Sequence, residues 1–358
     1  MALHRIAGQK QAKHMLKRML IADRVPHALL FHGPEGVGKK AMAVYLAMAV
    51  NCSQATWEPC GTCTTCRSFA ALQHPDLFVL HPSPLNIKAE EEAAFLQAMA
   101  NDPYRIPPPA RNLTISIERV RALQHQAVLR PYGARCKVAL IFDADRMRPE
   151  GANALLKTLE DPPNEMLLIL TSAYPEALLP TIRSRCQWIR LTPLRDEEIE
   201  AILKEQGQKP HRARLIARLA RGHLTRAYDL CEKDIETYRG SAFDFLHVAF
   251  DGDVLRMLSL AEERSDPQGD PPIESFFDVL SVCLRDLFLC RYGRMDHLTY
   301  VDKVEEIQAL SRWLDTEAIE EAFIEIEKAL DQMARNVNLQ WILIHLIRRL
   351  RALSRRRA

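Results

Sequence analysis

The chain of 358 residues has no apolar run approaching the roughly 18 to 20 residues that cross a bilayer. Its first residues, polar from His4 onward, have no apolar signal core and no small-residue cleavage site. A membrane span and a secretory leader are therefore not expected, and the reading is cytoplasmic. Charge of one sign is not in excess either. Against 48 Lys and Arg stand 46 Asp and Glu, a net +2, so no global field draws in nucleic acid or a membrane. The basic signal is local: Arg348, Arg349, Arg351, Arg355, Arg356 and Arg357 gather at the carboxyl end, where cations complement a helix dipole. Nine cysteines in so long a chain do not make a small secreted disulfide framework. Repeats and low-complexity tracts are missing as well. What remains is ordinary globular composition, 47% hydrophobic and 26% charged, long enough for two or three domains of roughly 100 to 200 residues.

One further absence carries chemistry. Gly33-Pro34-Glu35-Gly36-Val37-Gly38-Lys39-Lys40 is a phosphate-binding loop in every position but the last, where Ser or Thr normally supplies the hydroxyl that ligates Mg²⁺. Lys40 cannot coordinate a metal ion and repels or competes with one. The candidate phosphate-binding residues are Gly33, Gly36, Gly38 and Lys39, whose ammonium charge does not depend on Mg²⁺. Whether ATP binds stays open, and a working Mg²⁺ site is not expected.

Four of the nine cysteines are clustered. Cys60, Cys63 and Cys66 repeat at C-x2-C-x2-C, and Cys52 lies just upstream at the end of an apolar helical run. Four thiolates so spaced can converge on one tetrahedral ion, for which zinc is the first choice. The ferredoxin pattern would add a Cys three residues on, followed by Pro, but Arg67, Ser68, Phe69 and Ala70 follow Cys66. A closed four-thiolate site leaves no open coordination position, so the metal is expected to brace a small insert and not to catalyse. His74 is expected to be a loop residue, and Cys136, Cys186, Cys231, Cys283 and Cys290 to be scattered and inert.

Along the chain, helical spacing covers 9–22 and resumes over 39–50, with a short apolar strand at 27–32 ending in the loop. This strand, glycine-rich turn and helix is the order a phosphate cradle requires, with backbone N–H groups facing the phosphates. Further apolar strands are predicted at 77–80, 137–142 and 166–170, and helices at 90–100, 115–129 and 150–159. Alternation of strand and helix predicts an α/β domain with a mainly parallel sheet and ligand-facing residues at the strand ends. The proline-rich stretch 82–112 reads as a mobile surface insertion. After Pro193 only helices are predicted: 195–205, 211–220 and 224–233, then longer amphipathic ones beyond Gly240, interrupted by the linker Asp266–Pro272. Trp313 and Trp341 are expected in the core of that last part.

Taken together these motifs carry a resemblance. A cysteine cluster inserted after the P-loop helix is followed by Asp143-Ala144-Asp145-Arg146-Met147. Then come Ala152-Asn153-Ala154-Leu155-Leu156-Lys157-Thr158-Leu159-Glu160-Asp161-Pro162-Pro163 and Ser184-Arg185-Cys186. Over about the first 230 residues the chain resembles the bacterial clamp-loader subunits of DNA polymerase III, a family of the AAA+ class, and within it the delta-prime branch. The resemblance implies a RecA-like α/β domain at 1–192 carrying the zinc module, a helical lid at 193–238 and a helical collar at 239–358 that packs into a ring of five subunits. It implies as partners the ATP-hydrolysing motor subunits, a clamp-opening subunit, the sliding clamp and primed DNA, with no membrane contact.

Departures from the family pattern select the branch. Aligned with active members, Phe142 falls at the metal-binding Asp, Asp143 at the catalytic Glu, and Thr225 where a phosphate-sensing Arg belongs, with Arg226 one residue late. Together with Lys40, these changes make ATP hydrolysis by the chain alone an unexpected activity. Ser184-Arg185-Cys186 is intact, and the resemblance implies that Arg185 acts in trans on a neighbour's ATP; the plain alternative is a surface ion pair. Asp143, Asp145 and Glu160 would ordinarily be solvated or capping groups. Two rival functions stay open: an ATP-hydrolysing motor of the same machine, and a DNA-binding protein built on the zinc module. The latter calls for a basic insert, yet the segment between Cys52 and Cys66 holds Glu58 and no Lys or Arg.

Overall fold

An amphipathic helix, α1 (Lys10–Ile21), buries Ala12 and Leu16 and leads into β1 (Ala28–His32), an aliphatic strand buried over its first four residues. After the glycine-rich turn comes α2 (Lys39–Asn51), which is enclosed on nearly every side and so carries apolar residues all round. There follow α3 (Thr64–Ala70), β2 (Leu77–Leu80), α4 (Ala89–Asn101), α5 (Ile117–Ala127), β3 (Lys137–Ile141), α6 (Pro149–Glu160), β4 (Met166–Ser172), α7 (Pro180–Arg183), β5 (Gln187–Arg190) and α8 (Asp196–Glu205). This computed structural model describes residues 6–354 apart from 55–56, 107–109, 111, 164, 233–234, 264–272 and 336. Arg355, Arg356, Arg357, the prolines at 107–109 and the whole of the expected linker lie outside the described residues.

All strand pairings are parallel, in the order β2-β3-β4-β1-β5. The inner strands β3 and β4 are buried throughout and apolar over Val138 to Ile141 and Met166 to Leu170, because helices cover both faces of a parallel sheet. Register brings strand ends level: His32 pairs with Ser172 on one side and with Arg190 on the other, and Ile141 pairs with Leu170. The loops after β1, β3, β4 and β5 therefore leave the sheet together. The predicted α/β class, parallel sheet and later all-helical character are all present. The strand β5 was not expected, since only Ile189 of its four residues is buried and an edge strand of this kind makes no apolar run. The segment 82–112 is corrected from a mobile insertion to an anchored one in its described part. Glu92 of α4 takes the guanidinium of Arg119 and lies 3.3 Å from His81 Nε2, the His81 ring stacks on Phe95 at 3.8 Å, and Met99 is fully buried.

The chain divides into two units, Met1–Lys209 with Ala220–Asp229, and Pro210–Leu219 with Leu230–Ala358. The second unit is helical, drawing on α9 (Pro210–Ala220) and the end of α10 (Leu224–Cys231), then α11 (Ile235–Asp251), α12 (Val254–Glu263), α13 (Ile273–Arg291), α14 (Val304–Ser311), α15 (Thr316–Ala334) and α16 (Leu339–Ser354). Helix α13 packs against α11, α14 and α15, and α16 against α11, α12 and α15. Buried Asp286 accepts the N–H groups of Thr299 and Tyr300 and so fixes the connection before α14. Trp313 and Trp341 are not core as expected, being 46% and 69% exposed. Among the described residues no helix is long and apolar enough to cross a membrane.

Asp76 fixes the approach to β3. Its carboxylate, only 1% exposed, accepts the N–H groups of Tyr132, Gly133 and Ala134 at 2.7, 2.9 and 2.9 Å. Burial alone would raise its pKa, but the three donors outweigh it and the net displacement is downward. A depressed folded pKa gives stability that is present above the unfolded value near ~3.9 and is lost as pH falls through the folded one. Asp76→Ala is expected to cost about 2 kcal/mol in urea unfolding at pH 7. Asp76→Asn should flatten the acid limb of the stability profile; an acid limb identical to that of the wild type counts against this account.

Candidate functional site

The P-loop connects β1 to α2, and its backbone is one that only glycine adopts freely. Gly33, Gly36 and Gly38 have φ of 145°, 67° and 98°, and a Cβ at Gly33 or Gly38 would run into the Leu191 carbonyl or the Tyr104 ring. Buried Gln9 ties the loop to the segment after β5, donating from Nε2 to Val37 O at 3.2 Å and Thr192 O at 2.7 Å while Oε1 accepts from Thr192 N. From the other side Leu224 N donates to Gly36 O at 3.0 Å, placing the start of α10 against the loop.

The two lysines at the head of α2 are both engaged by the protein itself. Lys39, 6% exposed, folds back so that Nζ donates to the carbonyls of Gly33 at 2.7 Å and Pro34 at 2.6 Å. Burial pulls its pKa down to about 8, partly countered by the nearby Asp143 carboxylate. Lys40 Nζ lies 2.9 Å from Asp143 Oδ2, and both side chains are largely buried. Asp143 takes a left-handed backbone, φ 52°, with its N–H held by Thr171 Oγ1 at 2.9 Å. Phe142 before it is fully buried, and Asp145 accepts the Ser172 hydroxyl at 2.6 Å. Asp143 and Asp145 are thus specifically paired, not solvated.

Above the loop lies a cavity of about 340 Å³ whose walls include Lys39, Lys40, Asp143, Tyr104, His223 and Arg226. Burial, then the positive charges of Arg226 and Lys39, lowers the His223 pKa. The geometry brings Gly36, Gly38, Lys39 and Asp143 together with Thr225 and Arg226, as the sequence led one to expect. Sequence reasoning missed Tyr104 and His223. The only signal for Tyr104 was the turn-forming Asp102-Pro103 just before it, which says nothing of where the ring goes.

The cysteine cluster stands apart. The sulfur atoms of Cys52, Cys60, Cys63 and Cys66 all lie within 4.8 Å of one another, close enough for four ligands around one ion. The chain winds round that centre: Cys60 N donates to Cys52 Sγ, Cys63 N to Cys60 Sγ and Cys66 N to Cys63 Sγ, at 3.3 to 3.4 Å. The N–H of Cys63, with donors from Thr62, draws the Cys60 thiol down to about 6, toward the thiolate that binds metal. His74 is not in the cluster; its ring packs on Phe69.

Arg185 follows α7 and does not line the P-loop cavity. Its guanidinium meets Glu160 Oε1 at 2.7 Å and donates to Thr181 O at 3.0 Å, with the Arg185 and Glu160 side chains 34% and 53% exposed. Glu160 is therefore an ion-pair partner and not an isolated surface carboxylate. Cys186 is buried, its thiol pushed up to about 12 by burial, as suits a packing residue.

The family model for the DNA polymerase III delta subunit matches residues 8–195, more than half the chain, including the P-loop, Asp143 and Arg185. The chain belongs to that family. A second model, for the carboxyl-terminal part of the same subunit, matches 246–352. DNA polymerase III subunit delta′ of Bacillus subtilis is 27% identical over 95% of each chain. The Pseudomonas aeruginosa subunit delta′ is 37% identical over 45% of this chain and 41% of its own. The Escherichia coli subunit tau is 31% identical over 74% of this chain, which spans only 38% of that protein. The resemblance drawn from the motifs, to the delta-prime branch of the clamp-loader subunits, is borne out, and the delta-subunit family membership accounts for a P-loop scaffold followed by helices.

In this family member the buried Lys39 has a testable signature. Its folded pKa lies below the unfolded value of 10.5, so between about 8 and 10.5 the unfolded chain binds more protons and stability contributed through this group rises with pH. The stability of the wild type relative to Lys39→Met is expected to grow as pH is raised from about 7 to 10. Parallel profiles for the two chains would show that the ammonium is not held as described.

Proposed function

We propose that this chain is the delta-prime ring subunit of a DNA polymerase III clamp loader, one that does not hydrolyse ATP itself and helps place the sliding clamp on primed DNA. The observation that carries the reading is the Lys40–Asp143 ion pair at 2.9 Å. An ammonium sits where phosphoryl transfer needs a divalent cation, and it neutralises the carboxylate that would otherwise polarise water. Phe142, buried beside them, offers no ligand in place of the missing Asp. Near full-length similarity to the Bacillus subtilis delta′ subunit supports the same reading.

In this proposal Arg185 projects toward ATP held by a neighbouring motor subunit, residues 1–192 form the RecA-like domain, 193–238 the lid, and 239–358 the collar that joins motor and clamp-opening subunits in a cytoplasmic ring. The cysteine cluster holds a structural Zn²⁺ through Cys52, Cys60, Cys63 and Cys66 and takes no part in chemistry. Gly33, Gly36, Gly38 and Lys39 are the remains of a phosphate cradle whose metal partner has been replaced.

Three measurements test it. The purified chain with Mg²⁺ should show no ATP turnover, and Arg185→Ala in the assembled ring should lower turnover at the adjoining site on the order of 10³-fold. Ring turnover indifferent to that substitution sinks the trans role. Elemental analysis of freshly purified, reduced protein should find one zinc per chain, lost in Cys63→Ser together with thermal stability. Metal-free wild-type protein of undiminished stability is the contrary result.

A further inference from the structure

Tyr104 stands between two cavities of the first unit. One is the P-loop cavity of about 340 Å³; the other, about 530 Å³, runs from Ala7 past Met99 to Leu224 and Tyr228. Among the described residues only Pro103 and Tyr104 line both. The tyrosine comes from the connection between α4 and α5, yet its side chain is 6% exposed. Its ring edge rests on Gly38, so closely that a methyl group there would collide with the phenol oxygen. The same oxygen accepts the N–H of Ala7 at 3.0 Å, ahead of α1.

The turn that delivers the ring is held from several directions. Tyr104 N donates to Asp102 Oδ1 at 2.9 Å and Arg105 N to Asp102 O at 3.1 Å. The Arg105 guanidinium lies over the Tyr228 ring, 4.7 Å from its centre, and Tyr228 Oη accepts from Gln206 at 2.9 Å. Burial raises the phenol pKa, so the ring is not released by ionisation at ordinary pH.

The way from the loop to the larger cavity runs past Gly38, where this ring stands. We propose that Tyr104 is a built-in stopper that divides one nucleotide-sized cleft into two and bars nucleoside di- and triphosphates from the P-loop of this chain. The inference rests on the non-hydrolysing reading above and deepens it: loss of the metal site removes turnover, whereas Tyr104 removes occupancy. The anchored segment 82–112 thereby gains a role, since the contacts of Glu92, His81, Phe95 and Met99 seat the helix from which the stopper extends.

The test is binding, measured by anisotropy of N-methylanthraniloyl-ADP with EDTA and again with Mg²⁺. Tyr104→Ala is expected to bind at least about ten-fold more tightly than the wild type, a change of about 1.4 kcal/mol, and Tyr104→Phe, which keeps the ring, within about two-fold of it. If thermal melting shows that Tyr104→Ala does not fold, Tyr104→Leu is judged by the same ten-fold criterion. Equal affinity of wild type and the truncated variant, including no binding by either, overturns the stopper. ATP turnover by the wild type, measured separately, would overturn the non-hydrolysing reading instead, so the two failures are distinguishable.

Discussion

Two ammonium groups in succession at the amino end of a buried helix pose an electrostatic problem, because the helix end already carries positive partial charge and unpaired N–H groups. The arrangement of the P-loop region follows from how that problem is met. Lys39 turns back to the Gly33 and Pro34 carbonyls, and Lys40 reaches Asp143. Asp143 has to present its carboxylate from a left-handed backbone, a conformation that Asp tolerates better than most residues, and Thr171 at the end of β4 holds its N–H in place. Both cations are thereby neutralised or solvated internally. A phosphate arriving at this loop would compete with two carbonyl acceptors for Lys39 and with a carboxylate for Lys40. The glycine geometry of a phosphate cradle is kept while its charge is already committed.

The parallel sheet makes that solution possible. Because β1 is flanked by β4 and β5, and β3 by β4, four loops emerge at one edge of the sheet within reach of one another. Each contributes a different element: the glycine turn after β1, Asp143 after β3, Ser172 bound to Asp145 at the end of β4, and the Leu191 carbonyl after β5 that forbids any side chain at Gly33. Fold and site are thus the same construction. A change of register by one residue would separate Lys40 from its counter-ion, leaving a largely buried charge uncompensated, a situation worth several kcal/mol.

Much of this was legible in the residue string. Aliphatic runs and 3.6-residue spacing located α1, α2, α4, α5, α6 and strands β1 to β4 to within a few residues, because apolar parallel strands and amphipathic helices write their burial directly into sequence. The cysteine spacing located its cluster for a similar reason, since metal-ligand geometry requires short fixed intervals. What escaped were contacts between residues far apart in sequence. Lys40 was recognised as a lost metal position and Asp143 as aligned with the catalytic Glu, but that the two pair with one another depends on a loop-to-loop distance that no local pattern encodes. Tyr104 was hidden for the same reason, and β5 because an edge strand needs only one buried residue. Trp313 and Trp341 misled in the other direction: large aromatic side chains favour burial in general, yet both lie substantially exposed.

The Arg185–Glu160 pair shows how a residue can be parked and still be available. The Arg185 and Glu160 side chains are 34% and 53% exposed, and ion pairs in such positions contribute only ~0 to 1 kcal/mol, because solvent screens the attraction and ordering two long side chains opposes it. Lys40 and Asp143, with side chains only 14% and 15% exposed, are in the opposite condition, since separating them leaves charge largely shielded from water. The chain therefore holds one cation firmly and another loosely. Under the proposed function that asymmetry is what a non-hydrolysing ring member needs: its own loop resists reorganisation, while the guanidinium of Arg185 can leave Glu160 for a more highly charged phosphate at small cost. Glu160 meanwhile restrains the rotamers of Arg185, so that part of the ordering entropy of its extended side chain is already lost before a neighbour's nucleotide is met.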